Sequence, residues 1–122
     1  MLKYTVALTL ASLMLATAPV RSDRRLSVHV TPEVARAPAY VTVLASVQRD
    51  DDNRSIEVTA DSGDYYRRSI MTLDGGNAPL ANEFIFKDLP EGRYEVTVAL
   101  HGSLGPRAVE TAWLRVAPGM GR

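Results

Sequence analysis

The run from residue 82 to residue 100, N-E-F-I-F-K-D-L-P-E-G-R-Y-E-V-T-V-A-L, constrains what this chain can fold into more than any other stretch. Phe84 and Phe86 alternate with polar neighbours, and Tyr94, Val96, Val98 and Leu100 alternate with Glu95, Thr97, Ala99 and His101. A period of two is what a strand with one buried face requires, because successive side chains point to opposite sides. Pro90 and Gly92 interrupt the alternation, so the run predicts two antiparallel strands joined by a tight corner.

The same period recurs elsewhere. Seven short strands are predicted, over residues 26–31, 40–48, 55–60, 65–73, 83–87, 93–101 and 108–116. Leu26, Val28 and Val30 share one face of the first, Val41, Val43, Ala45 and Val47 one face of the second, and Ile56, Val58 and Ala60 one face of the third. The fourth is the least regular, and its Arg67 and Arg68 suit a sheet edge, where charge discourages pairing with another molecule. Residues 32–38, 49–53, 61–64, 74–79 and 102–106 are expected as loops and turns. Strands at this spacing with turn signals between them predict an all-β sandwich, and no helical pattern competes.

Residues 1–22 differ in kind. A basic start at Lys3, an apolar run through Ala18 and small residues beyond it have the layout of a cleavable export signal, with cleavage expected after Ser22 or Ala18. The expected domain organisation is therefore a signal peptide over 1–22, one β-sandwich over 23–117 and a disordered tail over 118–122. That places the mature chain in the periplasm or outside the cell, with no membrane insertion. Without Lys3 and Arg21, 12 basic residues face 14 acidic ones, which argues against a nucleic-acid partner. The chain has no cysteine, so packing alone must stabilise the domain.

Little here carries chemistry. His29 and His101 are the only histidines, too few for a zinc site of three or four ligands. Gly102-Ser103-Leu104-Gly105 falls one residue short of a nucleophile elbow and lies between strands, so it is expected as a plain turn. Asp50, Asp51, Asp52 and Asn53 offer hard oxygen ligands without the spacing of an EF-hand loop, and Asp74 could join them, making these weak calcium candidates. Asn53-Arg54-Ser55 matches the glycosylation sequon by coincidence. If the strands run alternately up and down, the loops holding Asp52, Asn53, Asn77 and Ser103 share one end, a possible binding surface. Trp113 is a second: the inward parity of Ala112, Leu114 and Val116 turns its indole outward, unless a bulge near Glu110 or the N-terminal segment covers it.

Seven strands ending in such a corner resemble immunoglobulin-like and fibronectin type III-like sandwich domains of secreted bacterial proteins. In those domains a Tyr near the start of the sixth strand returns its hydroxyl to backbone just upstream. Leu89, Pro90, Gly92 and Tyr94 occupy that corner, and their L-P-x-G-x-Y spacing also resembles carboxypeptidase regulatory-like, or transthyretin-like, sandwiches. The resemblance implies Tyr94 as a fold device and no cofactor. The functional expectation is a non-catalytic interaction module of the cell envelope, meeting an envelope protein or glycan. Its alternatives are a structural accessory subunit that pairs through a sheet edge and a small hydrolase.

Overall fold

In the computed structural model, residues 25–119 are described, so the leader expected over 1–22 and the tail residues 120–122 lie outside them. The alternating runs form β1 (Leu26–Thr31), β3 (Ala39–Val47), β4 (Ser55–Asp61), β5 (Tyr66–Thr72), β6 (Ala81–Leu89), β7 (Gly92–Gly102) and β8 (Gly105–Ala117). An eighth strand, β2 (Val34–Arg36), occupies part of what the sequence predicts as a loop. The fold is all-β, with two sheets, one of them a curled half-barrel. Among the described residues the only helical piece is a short 3₁₀ turn at Gly75–Asn77.

The smaller sheet has the order β1-β3-β6 and the larger β2-β8-β7-β4-β5. All pairings are antiparallel except that of β2 with β8, which is parallel. The chain thus leaves β1 in one sheet and contributes β2 to the other. Backbone bonds from Arg115 N–H to the Glu33 carbonyl and from Ala37 N–H to the Ala117 carbonyl, each 2.9 Å, stitch β2 in place. Irregular β5 is indeed at an edge.

Both sheets turn their apolar parity inward. Val41, Val43 and Ala45 of β3 meet Ile56, Val58 and Ala60 of β4 and Val96, Val98 and Leu100 of β7 in one core, all fully buried. Phe84, Phe86 and Leu89 of β6 and Leu114 and Val116 of β8 complete it. Burial of this apolar area is the main favourable term in a chain without disulfides.

Two bulges adjust the alternation. On β6, Val41 pairs with Phe86 but Ala39 with Leu89, so Lys87 and Asp88 together face Tyr40. Asp88 adopts φ 59°, a left-handed conformation that Asp tolerates better than most residues. The extra residue returns Leu89 to the core, which carries β6 past the expected end at Lys87. On β8, Leu100 pairs with Ala108 but His101 with Pro106, which makes Arg107 the extra residue. A bulge re-aims the side chain it carries, and Arg107 is turned toward the loop that follows β3.

Candidate functional site

The three loops expected to share an end do meet there. Arg107 donates to the Asn53 side-chain carbonyl at 2.8 Å and to an Asp50 carboxylate oxygen at 3.2 Å. The Asn53 amide donates to the Gln48 carbonyl at 2.9 Å, and the Gly75 N–H reaches the Asn53 carbonyl at 3.1 Å. Asp52 accepts from the Ser103 N–H at 3.2 Å and stands 3.8 Å from the Arg107 guanidinium. Gly102 is required in this knot: a Cβ there would lie 2.6 Å from Arg107 Cδ and 2.9 Å from the Asp52 carbonyl oxygen.

These contacts also set the charges. The Asp52 N–H, bonded to the Asp50 carboxylate, and then the Arg107 guanidinium hold the Asp50 pKa below its ordinary value. Bonds from Ser103 to Asp52 do the same for that residue. Of the calcium candidates, Asp50, Asp52 and Asn53 thus gather around a guanidinium that supplies their positive charge. Asp51 and Asp74 lie exposed outside this network, as does Asn77. Among the described residues no group of three or more His, Cys, Asp or Glu is placed to hold a metal ion. Asn53 is 1% exposed and its amide is engaged, so the sequon presents no free acceptor. Ser103 and Leu104 form the hairpin tip between Gly102 and Gly105, a plain turn.

The histidines stay apart, His29 on β1 of the smaller sheet and His101 on β7 of the larger. His101 Nε2 lies 3.2 Å from Glu57 Oε1, and Arg68 binds the other Glu57 oxygen. The Arg68 guanidinium, with a smaller contribution from His101, holds the Glu57 carboxyl below its ordinary value.

At the opposite end of β7, Tyr94 is fully buried and donates to the Pro90 carbonyl at 2.7 Å. The Tyr65 ring meets it edge-on, with centroids 6.5 Å apart. Burial pushes the Tyr94 phenol above its ordinary pKa. Gly92, at φ 153°, lets the corner pass Ser62, whose Cβ would stand 3.0 Å from an added Cβ. Leu89 anchors the corner from within the core, and Pro90 remains exposed.

Beside this corner opens a cleft of about 570 Å³, lined by Glu33 and Val34 at β2, by Glu91 and Arg93 at the start of β7, and by Trp113 and Arg115 of β8. Trp113 is 52% exposed, as its parity predicts, with no bulge at Glu110 to turn it inward. The Arg93 guanidinium sits 4.7 Å from the centre of its ring, a cation–π contact that fixes the orientation of the indole. Arg93 and Arg115 are direct cross-strand partners. None of Glu33, Glu91, Arg93 and Arg115 forms an ion pair with another described residue. The sequence shows the outward parity of Trp113 but not its surroundings, because β2 brings Glu33 and Val34 to β8 from about 80 residues away along the chain. The arginines' parity beside Trp113 was the available signal.

No protein-family model matches the sequence, and no curated protein does. Solved structures do resemble the fold. A superoxide reductase (neelaredoxin) from Ignicoccus hospitalis matches with a TM-score of 0.59 at 17% identity, over 75% of this chain and 79% of that one. A family 76 glycoside hydrolase from a bovine Bacteroides thetaiotaomicron strain matches with a TM-score of 0.53 at 18% identity, over 75% of this chain but only 20% of that one.

These neighbours correct the expected kinship with immunoglobulin-like, fibronectin type III-like and regulatory-like sandwiches. They also correct the expectation of a non-catalytic module, because the architecture is one that enzymes use. The corner motif that suggested the kinship solves a local problem of backbone satisfaction and does not discriminate between families. The expected secretion rests on residues 1–22, which lie outside the described residues, and the neighbours lend it no support.

The neelaredoxin's own chemistry does not transfer with its fold. Reducing superoxide is one-electron chemistry, which proteins place on a redox metal or an organic cofactor. Redox metals are held by Cys, His and carboxylate ligands. This chain has no cysteine, its two histidines lie on different sheets, and no ligand cluster forms among the described residues. The described residues do not fit such a centre.

Proposed function

We propose that this chain binds a saccharide in the cleft beside Trp113, with a sugar ring packed on the indole. The carrying observation is the half-exposed indole, fixed by Arg93 among charged groups that form no ion pair with another described residue. A sugar ring presents C–H groups on its faces and hydroxyls around its edge. The faces suit an aromatic surface, and the hydroxyls can donate to Glu33 and Glu91 and accept from Arg115. Mixed charge favours such a neutral, many-hydroxyl ligand over an ion of either sign. The cleft volume falls within the range of roughly 300–1,000 Å³ common to small-molecule sites. The reading also takes the two sheets as a sandwich, supported by a core to which both contribute.

Trp113 is the only tryptophan of the chain, so intrinsic fluorescence reports on the cleft directly. Titration with neutral oligosaccharides should shift or quench the emission in a saturable way, and Trp113→Ala should weaken binding measured by calorimetry tenfold or more. Undiminished affinity in Trp113→Ala would overturn the reading.

A further inference from the structure

The outer face of the larger sheet carries a row that crosses its strands. Tyr66 of β5 pairs with Asp61 of β4, Asp61 with Glu95 of β7, and Glu95 with Trp113 of β8. The two aromatics at the ends are 57% and 52% exposed, and both carboxylates between them face solvent. Like charges directly opposite one another across strands are unfavourable. Asp61 spends one oxygen on the Gly63 N–H at 2.8 Å, and the Glu95 side chain has no ion pair among the described residues. Beside the row runs another of Arg68, Thr59, Thr97 and Thr111, paired in the same register.

We infer that this row is a track of subsites, along which a soluble linear oligosaccharide runs from the Trp113 cleft to Tyr66, stacked at both ends. The inference rests on the reading of the cleft as a saccharide site and extends it to the length and form of the ligand. Hydroxyl donors relieve the facing Asp61 and Glu95 carboxylates. A cationic ligand would instead meet Arg93 and Arg115 on one side of the row and Arg68 on the other. Three strand spacings separate Tyr66 from Trp113, roughly 14 Å. Over that span the sheet turns by roughly 60–75°. A single chain can follow this turn, whereas the flat surface of an insoluble polysaccharide cannot touch both aromatics at once.

The full chain is titrated calorimetrically with cello- and chito-oligosaccharides from the monosaccharide to the hexasaccharide, and with insoluble cellulose and chitin in pull-down. Affinity should rise with length until the ligand spans both aromatics, and the insoluble polymers should not retain the protein. Tyr66→Ala should weaken the longest ligand roughly three- to tenfold and leave the monosaccharide unchanged. Tyr66→Phe, which keeps the stacking face, should bind as the native chain does. Trp113→Ala should weaken every length. Affinity that depends on Trp113 but not on length or Tyr66 overturns the track and leaves the cleft reading standing. If no saccharide binds at any length, both fall, and equal losses in Tyr66→Phe and Tyr66→Ala overturn the stacking.

Discussion

The two ends of β7 are built from the same kinds of residue and use them in opposite ways. Around Gly102, Asp50, Asp52, Asn53 and Arg107 bond one another, so carboxylate, amide and guanidinium cancel within the knot. Around Gly92, Glu33, Glu91, Arg93 and Arg115 line a cleft without an ion pair to any described residue. An acidic cluster is conspicuous in a sequence, yet here it is the satisfied end. Polar groups that have found partners inside the protein stabilise it. Those left open around an aromatic face are available to something else.

The sharpest way to break this contrast is to remove a member from each end. Asn53→Ala deletes a buried side chain that bonds both Gln48 and Arg107, and should cost about 2–3 kcal/mol in urea denaturation. Saccharide affinity of the folded variant should stay as it was. Trp113→Ala should do the reverse, losing tenfold or more in affinity while stability moves by no more than about 1 kcal/mol. A binding defect in Asn53→Ala, with the cleft indifferent to Trp113, would show the two ends to be assigned the wrong way round.

A smaller effect separates the corner from the cleft it adjoins. Tyr94→Phe leaves the Pro90 carbonyl without its phenol and should lower stability by about 1–2 kcal/mol, with unchanged binding at Trp113. Loss of affinity at full stability would place the corner inside the site.

How much of this could be seen in advance follows from where each signal lies along the chain. The parity of Val96, Val98 and Leu100, or of Trp113 against Leu114, is carried by neighbouring residues, so the strands and their faces were legible, whereas whether a bulge or a distant segment covers the indole was not. Pairing of β2 with β8 is a parallel contact between distant segments, and three residues of unremarkable composition announce nothing. Arg107 reaches Asp50 across 57 positions because of a bulge, so the aspartates looked like free ligands when their counter-charge was elsewhere in the chain. The corner misled differently: Leu89, Pro90, Gly92 and Tyr94 make a device that suits any fold whose strands cross between sheets there. Its local logic was legible, and its family was not.

The smallest expected effect sharpens the same comparison through pH. Asp50 and Asp52 titrate in the folded knot below the ordinary aspartate value of 3.8, because Asp52 N–H, Arg107 and Ser103 favour their charged forms. A carboxylate whose pKa is lowered by folding contributes stability above its unfolded pKa. That contribution fades as pH falls through the lower, folded value, where the native state must also take up the proton. Stability should therefore decline below about pH 4, the unfolded aspartate range. In Arg107→Met the decline should be shallower, since one source of the depressed pKa values is gone, although the variant starts from a less stable state. Removing Glu57→Gln from the same curve controls for the separate pair that Arg68 makes on the sheet face. Urea midpoints from pH 2 to pH 7 give the slopes, and an acid limb equally steep in the native chain and in Arg107→Met would mean that the knot holds its charges without its guanidinium.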